Sequence, residues 1–343
     1  MLGPLQFVPF LRPMVWGGRR LGDVLGKQLP TDEPYGESWE ISDHPLHRSV
    51  VANGPLAGTT LRELMEIRHD ELLGPTSRHT NFPLLVKYLD CSDWLSVQVH
   101  PDEEAVKRLW PGEGSKTEAW FVIDAAPGSR IYAGLQPGIG KDELRAAIEA
   151  GTVAECLHSF EPKPGDCVYL PAGTIHAVGG GVLLAEVQQT SDATFRLFDW
   201  NRRDAQGKSR KLHVEEGLES IHWEQGPLMP VAWSPMLELI EPPLHLRSSP
   251  RACSARISSF GLVECSYFEI RFARSLNGPL SIDKDAGRPR VLMVLTGTGV
   301  LTSLERKDAL YAGQTWLFPA SLPSVEIHGK NLSALICTLP AET

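Results

Sequence analysis

The sequence predicts a mainly β protein, two jelly-roll barrels in tandem with a small helical insertion in the first. Three observations carry that reading. Short apolar or alternating runs bounded by Gly and Pro recur on both sides of a Pro-rich stretch, PMLELIEPPLHLRSSPR at 235–251. A frame of Gly, five residues and Pro occurs twice, as GDCVYLPAGTIH at 165–176 and GQTWLFPASLPS at 313–324. Helical periodicity interrupts the strand pattern of the first half most clearly at 141–158. The expected division is residues 1–230, with the insertion around 141–158, followed by residues 231–343.

In order along the chain, residues 1–58 are rich in Gly, Pro and Trp, with ESWEIS and RSVVANG as short strands. TTLRELMEIRHDELLG reads as a helix with Leu61, Leu64, Met65 and Ile67 clustered and Gly74 near its end. FPLLVKYLDC and WLSVQVH are strands. The second alternates Leu95, Val97 and Val99 against Ser96, Gln98 and His100, so the three polar residues share one face. DEEAVKRLW is a short helix; TEAWFVIDA and RIYAGL are strands; KDELRAAIEAGTVAECLHSF is the helical insertion. Strands resume from 165 to about 200, the polar, basic NRRDAQGKSRK is a loop, and a helix follows near 213–222. Beyond the linker, SYFEIRFAR, RVLMVLTG, GVLTSL, ALYAGQTWLFP, SVEIHG and SALICTL read as short strands.

Of the 343 residues, 42% are hydrophobic and 22% charged, ordinary for a globular protein, and the formal net charge is −9. No basic footprint points to nucleic acid, though a local cationic cleft can still hold an anionic substrate. The six cysteines are scattered without a C-x-x-C pair and read as small hydrophobes. MLGPLQFVPFLRP lacks the charge-then-apolar pattern of a secretory signal, and no apolar run approaches membrane-spanning length. The chain is therefore expected in a reducing cytoplasm, with no membrane contact and no obligate protein partner implied.

The first copy of the repeated frame carries a histidine where the second does not. Cys167 to Leu170 form a buried strand, Pro171 breaks its pairing, Gly173 supplies a tight bend, and His176 opens the next strand. Gln98 and His100 lie on one strand face, and Glu118 follows in GSKTEAW. Two imidazoles, a carboxylate and an amide oxygen suit a borderline divalent ion such as zinc, with positions left for water or substrate. Each residue alone has a plainer explanation as a solvated or hydrogen-bonded strand residue. The polar i, i+2 pair inside an apolar strand is harder to explain that way. In the second copy Ser321 and Ser324 replace Gly173 and His176, so the C-terminal barrel is expected to hold no metal.

G-x5-P-x-G-x2-H resembles the second motif of the cupin superfamily, matched through His176. More narrowly, LSVQVHPDEE, KTEAWFVI, LPAGTIHAV and EVQQTSDATFRLFDWNR resemble the type I mannose-6-phosphate isomerases in their short bacterial form, as do GESWEISDHP at 36–45 and FPLLVKYLD at 82–90. The resemblance is dense over residues 7 to 215 and loose in the C-terminal third. It implies two cupin-type barrels, the second degenerate, and a zinc enzyme, one ion per chain, interconverting mannose 6-phosphate and fructose 6-phosphate. Carried over by motif, it implies Gln98, His100, Glu118 and His176 as metal ligands and Arg196 as the catalytic arginine. Ser96, Lys116 and Glu186 match positions lining the same cleft.

Aldose–ketose isomerisation moves a proton between two carbons of an open-chain sugar phosphate through an enediolate-type species. A Lewis-acidic metal and a nearby cation stabilise its charge, and a base takes the carbon-bound proton. Arg196 stays protonated, so its expected role is charge stabilisation or phosphate contact. Glu186 is the preferred base; Lys116 is the alternative if burial and the metal lower its pKa. Lys116, Arg196 and Arg202 are the first candidates for the phosphate. Three other readings keep the same barrel: an isomerase for another sugar, a metal-dependent cupin oxygenase, and a non-catalytic sugar-binding cupin.

Overall fold

The computed structural model describes residues 1–203, 207–231, 257–283, 287–304 and 306–340; the expected linker at 235–251 lies outside them. The N-terminal stretch is laid out as β1 (Leu5–Gln6), β2 (Phe10–Gly18), one helical turn α1 (Arg20–Asp23), β3 (Tyr35–Ile41) and the ribbon β4 (Asp43–His44) and β5 (His47–Arg48). The helix expected at 59–74 forms as two, α2 (Leu61–Ile67) and α3 (His69–Leu72), broken at Arg68. Thr60 starts α2 with a reciprocal cap: its hydroxyl accepts from the Glu63 amide at 3.1 Å and its own amide donates to the Glu63 carboxylate at 2.7 Å. Then come β6 (Leu84–Cys91), β7 (Val97–Val99), α4 (Glu103–Leu109), β8 (Glu118–Ala125) and β9 (Ile131–Leu135).

The helical insertion is shorter than the expected 141–158. α5 (Lys141–Ala150) stops at Gly151, which takes the left-handed conformation (φ 75°) that ends helices. A 3-10 turn covers Val153–Cys156, and Leu157–Phe160 is a strand, β10, paired with β9. β11 (Cys167–Leu170), β12 (Ile175–Val178), β13 (Val182–Gln189), β14 (Phe195–Phe198) and α6 (Val214–Ser220) complete the first half. The second half contains β15 (Ile257–Glu264), β16 (Glu269–Ile282), β17 (Arg290–Ser303), β18 (Arg306–Tyr311), β19 (Thr315–Phe318) and β20 (Val325–Thr338). Pairs of runs that read as separate short strands are joined here: RVLMVLTG and GVLTSL share β17, and SVEIHG and SALICTL share β20. Register shifts near Thr296 let these 14-residue strands bend without breaking.

Two sheets make the first half. One is ordered β11-β8-β13-β6-β3-β2 and the other β10-β9-β12-β7-β14. Their facing sides enclose an apolar cluster that includes Trp120, Val122, Leu184, Ile131, Ala133 and Val178. The outer side of the five-stranded sheet is covered by α5 and α6, where Val97, Val99 and Leu197 meet Leu144, Ile148 and Leu218. The outer side of the six-stranded sheet, with Val86, Tyr88, Phe121 and Val187, packs on Phe272, Val291, Met293 and Leu335 of the second half. The second half is a seven-stranded sheet, and β1 from the extreme N-terminus is its edge, paired with β19. The sheet folds around its own core of Leu292, Val294, Trp316, Phe318 and Ile327. The protein is mainly β, as its sequence predicts. Among the described residues no helix is long and apolar enough to cross a membrane.

Candidate metal centre and cleft

Two rows of side chains face one another across the gap between the sheets of the first half. On the five-stranded sheet, His176 of β12, Gln98 of β7 and Arg196 of β14 are direct cross-strand neighbours. On the six-stranded sheet, Glu118 of β8 pairs with Gln188 of β13, and Glu186 pairs with Trp120 on one side and Lys87 of β6 on the other. The corner before β12 aims His176. Gly173 is left-handed there (φ 83°), its amide donates to the His100 carbonyl at 2.8 Å, and a Cβ would lie 2.4 Å from the His222 ring. Only glycine fits that place without displacing the ring.

His100, Glu118 and His176 converge as a buried group whose ligand atoms all lie within 4.8 Å of one another. Each imidazole faces a backbone carbonyl through Nδ1, His100 at Ala193 (2.8 Å) and His176 at Thr174 (2.9 Å). With those nitrogens protonated and donating, each Nε2 turns a lone pair inward, 3.4 and 3.3 Å from the Glu118 oxygens. His100 Nε2 and both Glu118 oxygens are buried without a hydrogen-bond partner. Orphaned acceptors of this kind are costly in a folded protein and are the expected state of atoms that hold a cation. The Gln98 amide lies 3.2 Å from His176 Nε2, close enough to join the group with its oxygen if the amide is turned.

Charge supports the same reading. Burial, helped by the Lys116 ammonium, pushes His100 down to about 4, and burial also lowers His176, so both rings are neutral ligands near pH 7. Burial alone would raise the Glu118 carboxyl, but Lys116, His100 and His176 hold it well below the usual carboxylate range. The Lys116 ammonium forms an ion pair with Glu118 at 3.0 Å. Burial opposes its charge, yet Glu118 and Glu186 outweigh burial and keep it protonated. That is opposite in sign to the lowered pKa a lysine base requires.

Gln98 and Lys116 also line an open cleft of about 280 Å³, so the buried group sits at its floor. Ser96, Glu186 and Arg196 line the cleft as well. Phe195 and Leu197 are buried on the α5–α6 side, which leaves Arg196 facing the opening, where its Nε donates to Ser96 Oγ at 3.1 Å. Glu186 is braced by Lys87 at 2.9 Å and by the Trp120 indole at 2.9 Å. Arg202 does not line the cleft. Its guanidinium is bound to the Trp94 carbonyl and to Asp199 at 2.5 Å, because the turn after β14 carries it back toward the 93–94 loop. Arg210, from the same basic loop, reaches the cleft instead.

Lys87, Arg12 and Glu37 are among the lining residues that the sequence does not single out. Lys87 interrupts the apolar run FPLLVKYLD and pairs with Glu186, a visible signal. Arg12 and Glu37 form a 3.0 Å ion pair beside Trp39, whose indole donates to Glu37 at 2.6 Å. Nothing local in the sequence marks Arg12. Together Arg12, Lys87, Lys116, Arg196 and Arg210 outnumber the cleft's Glu37, Glu186 and Asp192. The site therefore joins a cation-holding floor to an anion-attracting mouth.

The chain is similar to known proteins over most of its length. A family model described as the phosphomannose isomerase type I catalytic domain matches residues 5–119. The mannose-6-phosphate isomerase ManA of Bacillus subtilis is 37% identical over 327 residues, covering 95% of this chain and 96% of its own. The crystal structure of a mannose 6-phosphate isomerase from Bacillus subtilis superposes with a TM-score of 0.83 at 31% identity, covering 98% of this chain and 99% of that one. A mannose 6-phosphate isomerase structure bound with zinc and yttrium shares the fold, with a TM-score of 0.72 at 16% identity over 99% of this chain and all of that one. Similarity of this extent over nearly the whole chain places it in one family: the chain belongs to the type I mannose-6-phosphate isomerases.

Proposed function

We propose that this chain is a zinc-dependent aldose–ketose isomerase acting on mannose 6-phosphate and fructose 6-phosphate, with one ion per chain. The observation that carries the proposal is the set of orphaned, inward-facing acceptors of His100 and Glu118 at the floor of a cation-rich cleft. Two neutral imidazoles and a carboxylate, with the Gln98 amide beside them, suit zinc in an open catalytic site. When bound, the ion supplies Lewis acidity toward the sugar oxygens.

The chain's own side chains supply the rest. Arg196, fixed by Ser96, offers a planar cationic fork toward the developing enediolate or the phosphate. Glu186 is assigned as the base at the carbon-bound proton; Lys87 and Trp120 orient its carboxylate. Lys116, held protonated by Glu118 and Glu186 in the metal-free chain, is assigned as the donor toward substrate oxygen. Arg210 replaces Arg202 as a candidate phosphate contact. A coupled assay of fructose 6-phosphate formation from mannose 6-phosphate tests the proposal. Chelation should abolish turnover and zinc should restore it; full activity in chelator-treated, metal-free protein would overturn the metal assignment.

A further inference from the structure

The second half keeps the ladder of the site while changing its residues. Glu118 lies opposite Leu170, the last residue of β11. In the second copy of the frame, Arg290 lies opposite Phe318, the last residue of β19. Gln188 pairs with Glu118 as Thr338 pairs with Arg290, and two residues back along those strands Glu186 corresponds to Ile336. Glu186 pairs with Lys87 as Ile336 pairs with Arg271. Two residues before Glu118 stands Lys116; two residues before Arg290 stands Arg288.

Position by position, the two lysines of the first cleft become Arg271 and Arg288, the metal carboxylate becomes Arg290, and the base becomes isoleucine. These residues are not dispersed. Arg271, Arg288, Arg290, Ile336 and Thr338 line one cavity of about 490 Å³, together with Glu269 and Asp283. Arg290 is fully buried and donates to the carbonyl of Asp283 (2.7 Å) and to those of Leu322 (2.9 Å) and Pro319 (3.3 Å), the last two in the second-half corner that corresponds to the one before His176. Glu269 is held by Arg288 at 3.0 Å, and Asp283 accepts from Ser281 at 2.7 Å. Arg271 is exposed and makes no ion pair with a described residue. A cavity in which the positions of Lys87 and Lys116 are held by arginines, while the proposed metal carboxylate and base are lost, is suited to holding a phosphate without reacting with what carries it.

We propose that this cavity is a second, metal-free ligand site that binds a phosphate group through Arg271 and Arg288. The bare anion and a sugar phosphate share that chemistry. Equilibrium dialysis of the zinc-loaded full chain with labelled fructose 6-phosphate, and separately with labelled inorganic phosphate, distinguishes them. The expected result is one class of sites per chain that weakens at least tenfold in Arg271→Glu and survives in Arg271→Lys, with kcat at saturating mannose 6-phosphate within about twofold of the parent. Tenfold preference for the ester identifies a sugar-phosphate site; equal affinity identifies a site for the anion itself. Isotherms unchanged by Arg271→Glu with both ligands would overturn the proposal. Because the readout is the site lost with Arg271, failure of the isomerase assignment would appear separately, as absent turnover in the parent chain.

Discussion

Arg196, proposed to stabilise developing charge, is the side chain expected to matter most to rate. It faces the cleft because its neighbours Phe195 and Leu197 are buried, and Ser96 fixes its Nε. An arginine aimed at developing negative charge acts mainly in the transition state, worth ~3–4 kcal/mol by analogy with a lost oxyanion donor. Arg196→Ala should lower kcat by roughly 10²–10³-fold with a smaller change in KM and zinc retained. Arg196→Lys should recover only part, since a point charge lacks the planar fork. A raised KM at unchanged kcat would make it a ground-state phosphate contact instead. Arg210→Ala should raise KM, whereas Arg202→Ala, whose guanidinium is spent on Trp94 and Asp199, should leave KM and kcat near the parent; the reverse pattern would restore Arg202 to the mouth. The proposed metal ligands also fix an acid response. His100 and His176 have folded pKa values below the unfolded value, so the unfolded chain binds more protons as pH falls from about 6.5 toward 4. Glu118, depressed in the folded state, adds the same sign of loss as pH falls through its unfolded value near 4.5. Metal-stripped protein should therefore lose stability steadily on acidification through that window, and His100→Gln should flatten the upper part; identical melting curves at pH 7 and pH 5 would contradict the burial of neutral rings.

Elements place these residues, and their legibility in the sequence was uneven for physical reasons. The β11–β12 corner was readable because Pro171 and Gly173 each permit few conformations. The Ser96, Gln98 and His100 face was readable because strand alternation has a period of two. The end of α5 was misplaced because apolar residues continue past Gly151, and periodicity alone does not see a left-handed stop. The long strands of the second half were read as fragments because bends near Thr296 look like turns in sequence, yet the ladder continues through them. Arg12 was invisible because its partner Glu37 is brought to it only by pairing of β2 with β3. The corner offers a test at this scale. Gly173→Ala must adopt a positive φ and meet the His222 ring, at a cost of about 1–3 kcal/mol. Because the Gly173 amide holds the His100 carbonyl and Thr174 anchors His176, zinc affinity should fall along with Tm. An unchanged Tm and zinc affinity would mean the corner is not what aims the histidines.

At the scale of the whole molecule, the proposed division into residues 1–230 and 231–343 is one of architecture and not of independent folding. The proposed metal ligands and the cleft residues all lie in the first segment, yet the back of its six-stranded sheet is completed by the second. Leu84, Val86, Tyr88, Phe121 and Val187 pack against Phe268, Ile270, Phe272, Val291, Met293 and Leu335, all of them buried. Tyr88 also donates its hydroxyl to the Val294 carbonyl at 3.2 Å, and β1 leaves the first segment to close the edge of the second beside β19. Removing the second segment would expose a contiguous apolar sheet face and leave β1 unpaired, both recognised routes to aggregation. A chain ending at residue 230 should therefore be recovered insoluble or with strong hydrophobic-dye binding, and without zinc, although every proposed ligand is present in it. Tyr88→Phe in the full chain, which removes one hydrogen bond and leaves the packing, should cost only about 0.5–1.5 kcal/mol and keep activity. A soluble 1–230 chain with zinc and normal turnover would show that the second segment is an attachment, and would leave the buried face between the two without a role in folding.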